Sequence, residues 1–251
     1  MNQLILECQN FLKDFGHTYA FCGGYALELF TNTSNRPHTD IDISIFSDDK
    51  RNIVEFMLSA DWNVFEHRVE WADDKKSSSY LSPIASSDDE RLPKLHGVWA
   101  VKPGSSLIKI MPKQGKESSF DYEILNEEQL ELDFIEIIFN TRRDGKFICD
   151  EEKGIARTLD KAILHNDGIP YLAPELMLFL ICNPAYINSE YHKEKNRIDF
   201  DSTAPFLTLE SKEWLVNALK TAYPEGNERL AELMTFTEIG VDSVEQGEST
   251  I

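Results

Sequence analysis

Close cysteine pairs are absent. Cys8, Cys22, Cys149 and Cys182 are scattered through 251 residues, which excludes a disulfide framework and a cysteine-based zinc site and fits reduced thiols. Base is scarce: 25 Lys and Arg stand against 44 Asp and Glu, for a formal net charge of −19. That charge repels phosphate backbones and anionic lipid, so a general nucleic-acid or membrane-surface binder is disfavoured. It suits a cationic partner, or it is only a solvated acidic surface. No apolar run is long enough to span a bilayer, and the most apolar stretch, 171–182, contains Pro174 and Glu175. The first 17 residues lack the basic start and apolar core of a secretory signal. The expectation is a cytoplasmic protein with no membrane partner. Internal repeats are missing too. What is present is 41% hydrophobic residues, enough for a core, in a length that fits one large domain or two small ones.

Leu4, Ile5, Cys8, Phe11, Leu12 and Phe15 recur at helical spacing, which predicts an amphipathic helix over 3–15. A short strand over 19–22 follows, then a break at Gly23-Gly24, a helix over 25–30 and a polar loop over 31–39. The clearest strand is 40–46, where Ile41, Ile43 and Ile45 alternate with Asp40, Asp42 and Ser44. Further expectations are a helix over 53–58, strands over 64–71, 98–101 and 107–111, and a buried strand over 130–139. The serine-rich segment 73–91 reads as a polar excursion. Arg142-Arg143-Asp144-Gly145 reads as a turn. Beyond it helical patterns dominate, over 152–164, 173–182, 209–222 (with Thr208 as N-cap) and 227–236, before an acidic end from 238 onward.

The chemistry-bearing constellation is Gly23-Gly24 followed by Arg36-Pro37-His38-Thr39-Asp40-Ile41-Asp42. Carboxylates two apart on a strand leave the same face, roughly 7 Å apart at their Cα atoms. Oxygen ligands so placed suit Mg²⁺, which completes its shell with water and substrate phosphates. A Gly-Gly turn opening a helix lets backbone N–H groups approach a phosphate, and the helix N-terminus favours its charge. Arg36 is either a bidentate phosphate ligand or a surface loop residue. His38 reads as a structural hydrogen-bonding residue, since Mg²⁺ prefers oxygen. Together the features describe a phosphoryl- or nucleotidyl-transfer site.

Cys22-Gly23-Gly24-Tyr25-Ala26-Leu27-Glu28 and the Arg36-x-His38-x-Asp40-Ile41-Asp42 strand resemble the core motif of the polymerase β-like nucleotidyltransferases, and within them the aminoglycoside and lincosamide adenylyltransferase-like branch. Ile169-Pro170-Tyr171-Leu172-Ala173-Pro174-Glu175, Lys195-Asn196-Arg197-Ile198-Asp199-Phe200 and Trp214-Leu215 resemble later blocks of that branch. The resemblance implies a nucleotidyltransferase core of mixed α/β (α+β) class with a small mixed sheet over 1–145, a helical substrate-binding domain over 146–238 and an acidic tail over 239–251. It implies transfer of a nucleoside monophosphate, AMP from ATP, to a hydroxyl of a small acceptor, with release of pyrophosphate. Asp40 and Asp42 would hold Mg²⁺, Gly23 and Gly24 the phosphates, and Lys195 the triphosphate from the helical half, where the residue alone reads equally as a solvated lysine.

A third carboxylate is also implied. Glu136 is chosen, because Asn140-Thr141-Arg142-Arg143-Asp144 resembles the loop after the family's third strand; Asp133 is the alternative. Their odd spacing puts them on opposite faces of a strand, so only one can face the site. Glu175 is either a base or substrate contact, or a helix N-terminal acid favoured by the dipole. Trp62, Trp71, Trp99 and Trp214 read as core or half-buried residues, and His17, His67, His96, His165 and His192 lack metal-ligand spacing. The net charge favours a cationic acceptor such as an aminoglycoside over RNA. The alternatives are a toxin-like enzyme acting on tRNA, and an inactive nucleotide-binding module, for which Asn196 in place of a usual Asp speaks.

Overall fold

The computed structural model describes residues 2–71, 77–183 and 190–238. The chain opens with α1 (Gln3–Leu12), whose N-cap Asn2 accepts from the Leu4 N–H, then β1 (Tyr19–Phe21), α2 (Gly23–Thr31), β2 (Asp42–Phe46), α3 (Lys50–Ser59), β3 (Asn63–Trp71) and β4 (Ser77–Ile84). Next come β5 (Gly97–Val101), β6 (Ile108–Pro112), β7 (Phe120–Ile124), β8 (Phe134–Arg143), β9 (Lys146–Asp150), β10 (Ile155–Thr158), the one-turn α4 (Leu159–Ala162), β11 (Ile163–Asn166) and β12 (Ile169–Leu172). Four helices close the described chain: α5 (Pro174–Ile181), α6 (Glu190–Thr203), α7 (Leu209–Ala222) and α8 (Glu228–Glu238).

The strands form one twelve-stranded sheet in the order β11-β12-β1-β2-β8-β5-β3-β4-β7-β6, with β9 branching from β8 and carrying β10. The sheet is mixed: β1–β12 and β2–β8 are parallel pairs, and the other pairs are antiparallel. Register decides what each face carries. Asp42 pairs with Glu136, and Glu136 with Trp99, so these three share one face. Ile43, Ile45, Ile135, Ile137, Val98, Ala100 and Val64 line the other face. They pack into the main core with Leu4, Ile5, Cys8 and Leu12 of α1 and with Ile53, Val54 and Met57 of α3.

A second core holds the helices together through Leu178, Phe179, Phe200, Leu207, Leu215 and Leu219. α5 is apolar all round because it serves both cores, with Leu176 and Met177 in the first and Leu178 and Phe179 in the second. No helix among the described residues is long and apolar enough to cross a membrane.

The mixed α/β class and the later helices agree with expectation, but the sheet is larger than a small core sheet. The helix expected over 152–164 is instead the β9–β10 hairpin, one turn of α4, and β11. Ile155, Leu159 and Ile163 do have helical spacing, but Gly154 sits at φ +68 in a turn and β10 pairs with β9 from Ile155 to Thr158. The expected excursion over 73–91 contains β4, all of whose residues pair with β3; residues 72–76 lie outside the described chain. β7, β9, β12 and α6 have no counterpart among the expected elements. The strand expected to begin at Asp40 starts at Asp42. Asp144-Gly145 form the β8–β9 turn with both φ positive, at 50 and 72. The acidic end beyond 238 lies outside the described residues.

Candidate active site

β1 delivers the chain to Cys22, whose N–H donates to the Asp42 carbonyl at 2.9 Å. Gly23 follows at φ +60, and a Cβ there would lie 2.0 Å from Asp42 Oδ2. A Cβ on Gly24 would lie 2.2 Å from the His38 ring and 2.8 Å from the Arg36 guanidinium. Both glycines are therefore required by close approach, the first also by its left-handed backbone. They start α2, whose N-terminus no side chain caps, so its first N–H groups are free to meet an anion.

The loop that carries the first aspartate is clamped from three directions. His38 Nε2 lies 2.9 Å from Glu28 Oε1 on α2, and its ring sits 4.4 Å from that of Tyr25; His38 is thus the structural residue expected. Gln129, 4% exposed, donates its backbone N–H to the His38 carbonyl and accepts from the Ile41 N–H. Its amide donates to the Phe134 carbonyl at 2.8 Å, which ties the loop to the start of β8. Arg36 is held by Asp199 of α6, with Nε and Nη2 each 2.8 Å from a carboxylate oxygen, while Nη1 donates to the Pro37 carbonyl at 3.1 Å. The guanidinium is therefore spent on a near-buried pair between loop and helix, a role neither expectation for Arg36 contained.

These restraints bring together Asp40, Asp42 and Glu136, whose carboxylate oxygens lie within 4.8 Å of one another. Each residue is half-buried. Burial, then the Asp40 and Glu136 charges, push the Asp42 carboxyl well above its ordinary range. Burial and the Asp40 charge push Glu136 up to about 7, against the Trp99 indole N–H and Lys195, which favour its charged form. The cause is a knot of like charge in a poorly solvated place. Asp133 stands apart: its Oδ2 accepts from the Ser106 N–H at 2.6 Å and from Ser106 Oγ at 2.8 Å. Of the two alternatives, the structure brings Glu136 and not Asp133 to the pair of aspartates.

Two cavities meet here. The first, about 170 Å³, is lined by Gly23, Gly24, Arg36, Asn140, Lys195 and Asp199. The second, about 610 Å³, reaches Glu136 between Trp99 and His67 on the sheet and Leu180 and Ile181 on α5. Asn140 and Asn196 line both, and Asn196 donates to the Ile181 carbonyl at 3.2 Å. Lys195 is close enough to oppose the raised pKa values of Asp42 and Glu136. Beyond the Asp40, Asp42 and Glu136 cluster, the acidic excess does not gather here. Among the described residues lining the two cavities the carboxylates are Glu136 and Asp199, and Asp199 is neutralised by Arg36.

Glu175 is elsewhere: it is 1% exposed, and its Oε1 accepts from Arg157 Nε at 3.1 Å and Nη2 at 2.7 Å. It is a structural ion pair behind the cleft. Gln129, Trp99, His67, Asn140 and Asp199 were assigned no site role from sequence. For Asp199 the block at 195–200 was the one available signal.

No protein-family model and no curated protein matches the chain. Among solved structures it is similar to the antibiotic-resistance factor ANT(2'')-Ia, at 14% identity and a TM-score of 0.43, over 88% of this chain and 92% of the other. It is similar also to the lincosamide antibiotic adenylyltransferase LnuA, solved with lincomycin bound, at 13% identity and a TM-score of 0.42, over 81% and 98%. A third is an antigenic nucleotidyltransferase-like protein from Paracoccidioides brasiliensis, at 15% identity and a TM-score of 0.41, over 92% and 90%. The likeness is to nucleotidyltransferases. At such scores it places no residue, and the chemistry of the site rests on its own geometry.

Proposed function

We propose that the protein is a Mg²⁺-dependent nucleotidyltransferase that moves AMP from ATP to a hydroxyl of a small-molecule acceptor and releases pyrophosphate. The observation that carries this is the convergence of Asp40, Asp42 and Glu136 within 4.8 Å beside an uncapped helix N-terminus. Three carboxylates so close, in a place that penalises each charge, fit a divalent cation: the donors are all oxygen, as Mg²⁺ requires, and a cation relieves their mutual repulsion. Asp40, Asp42 and Glu136 would hold it. When bound, Mg²⁺ supplies positive charge to the triphosphate and acidifies the acceptor hydroxyl.

The chain's own residues do the rest. The Gly23 and Gly24 N–H groups, at a turn where the neighbouring Asp42, His38 and Arg36 leave no room for a side chain, donate to phosphate oxygens. Lys195, in the same cavity, adds a point charge to the triphosphate. Arg36 acts indirectly, by fixing α6, and hence Lys195, against the aspartate loop through Asp199. Glu136, facing the second cavity, is placed to take up the proton of the acceptor hydroxyl.

Asp42→Asn tests the proposal. It preserves size and removes the charge, and should lower pyrophosphate release and label transfer from ATP by about 10²–10³-fold. Full transfer by Asp42→Asn, with Mg²⁺ and each of the four nucleoside triphosphates, would refute the mechanism.

A further inference from the structure

The second cavity has a composition of its own. Its volume, about 610 Å³, falls within the usual range for small-ligand pockets. Its sheet-side wall is aromatic: the His67 and Trp99 rings are stacked at 4.3 Å and 10°. Tyr122 braces both rings edge-on, 5.6 Å from His67 and 5.1 Å from Trp99. The Tyr122 hydroxyl lies 3.0 Å from His67 Nε2 and 2.9 Å from Ser79 Oγ. The wall is thus preorganised, and a ligand ring seated on it does not have to order it. Leu180 and Ile181 supply an apolar face opposite.

Fixed charge on the walls of this cavity is sparse, once the cation that Asp40, Asp42 and Glu136 would hold offsets their cluster. Among the described residues lining it, Glu136 is the only carboxylate, and neither Lys nor Arg is present. His67 is kept neutral by burial, which lowers its pKa. A polycationic ligand would leave most of its ammonium groups desolvated without a counter-charge. A polyanionic one would meet Glu136, with Lys195 lining the first cavity rather than this one. The Trp99 indole N–H lies against the Glu136 carboxylate and favours its charged form, which fixes the ring beside that acid.

We infer that this cavity takes the acceptor, and that the acceptor is an uncharged, hydroxyl-bearing small molecule with a planar aromatic ring. This departs from the cationic acceptor that net charge suggested, and it rests on the nucleotidyltransferase reading for the word acceptor.

The test uses the whole protein and two matched sets of hydroxyl-bearing probes, uncharged aryl glycosides and polyamino glycosides. Binding is read by saturation-transfer NMR and equilibrium titration, with Mg²⁺ and a non-hydrolysable ATP analogue present. Aryl glycosides should bind at least about tenfold more tightly than the polyamino set, and His67→Leu should cost them about tenfold, the loss of one ring contact. Tyr122→Phe removes only the hydroxyl that steadies His67 and should give a smaller loss in the same direction.

Binding of the polyamino set as tightly as the aryl set overturns the inference. So does an aryl set without binders, or aryl affinity unchanged in both variants. Pyrophosphate release measured in parallel reports on the reaction class alone: aryl binding without release would sink the reaction and leave the pocket assignment standing.

Discussion

Gly23→Ala separates backbone strain from damage to the acidic cluster, because Gly16 provides a matched control. Gly23 and Gly16 both sit in the left-handed region, at φ +60 and +74. Alanine costs roughly 1–2 kcal/mol in that region, and each kcal/mol shifts Tm by about 2–4 °C in a chain of this size. Either variant should thus melt about 2–8 °C below the parent. Their surroundings differ. A Cβ on Gly16 meets nothing within 4 Å, whereas one on Gly23 lies 2.0 Å from Asp42 Oδ2. An ordinary contact is about 3.5 Å, so the Asp42 carboxylate must retreat by roughly 1.5 Å. Its χ rotation makes that cheap in stability, at about 1 kcal/mol or less.

The functional cost is larger. Misplacing a reacting group by about 1 Å costs about 10²-fold in rate, which corresponds to roughly 2.7 kcal/mol. Two measurements read it. Mn²⁺ affinity by electron paramagnetic resonance reports on the metal-binding oxygens and needs no acceptor; it should fall about tenfold or more in Gly23→Ala and stay at the parent value in Gly16→Ala, given the displaced ligand. Transfer from labelled ATP should fall about 10²-fold in the first variant only. Parent-like Mn²⁺ binding by Gly23→Ala, or an equal loss in Gly16→Ala, refutes the account of why Gly23 is glycine.

Two more expectations follow from charge. In the metal-free protein Glu136 holds its proton up to about 7, while the unfolded chain releases it near 4.5. The native state therefore binds more protons across that window, and stability falls as pH rises through it. Thermal melts between pH 4 and 8 should show this fall, and Glu136→Gln and saturating Mg²⁺ at pH 8 should each reduce it; a profile untouched by Glu136→Gln refutes the assignment. The Arg36–Asp199 pair has side-chain exposures of 11% and 8%, so removing either partner alone strands a charge and should cost about 3–5 kcal/mol in chemical denaturation. The double variant Arg36→Ala/Asp199→Ala should cost less than the sum of the two, and strict additivity would show that the pair does not join loop to helix.

Asp40, Asp42, Gly23 and Gly24 were legible because their signals are local: strict alternation along one strand, and a double glycine where a strand becomes a helix. Gln129 was not, although it fixes the aspartate loop, because it acts by bonding Ile41 across 88 residues of sequence. Asp199 reaches Arg36 across 163, and nothing near either residue announces the pair. α6 escaped because it is polar along most of its length. It buries Asp199, Phe200 and Thr203 at one end and is laced elsewhere by Arg197 with Glu194 and Asp201, a pattern without an apolar stripe. Local spacing failed in the other direction over 152–164. There the helical rhythm of Ile155, Leu159 and Ile163 lost to cross-strand pairing with β9, which only the folded hairpin supplies.

The same distinction governs the charge. A net −19 is a sum over the chain, and a cleft feels only the groups that line it and those within a Debye length, about 8 Å at physiological salt. Asp40, Asp42 and Glu136 answer one another through burial and proximity. Asp199 is cancelled by Arg36. Exposed acids such as Asp48, Glu151, Glu194 and Asp201 are spent on neighbouring arginines. What lines the second cavity itself is one carboxylate, at the edge of the cluster that would hold the cation, beside two stacked rings. The acidity that first pointed to a polycationic acceptor is thus a property of the surface. In the second cavity a ligand would meet the stacked His67 and Trp99 rings, and their preference is for a ring.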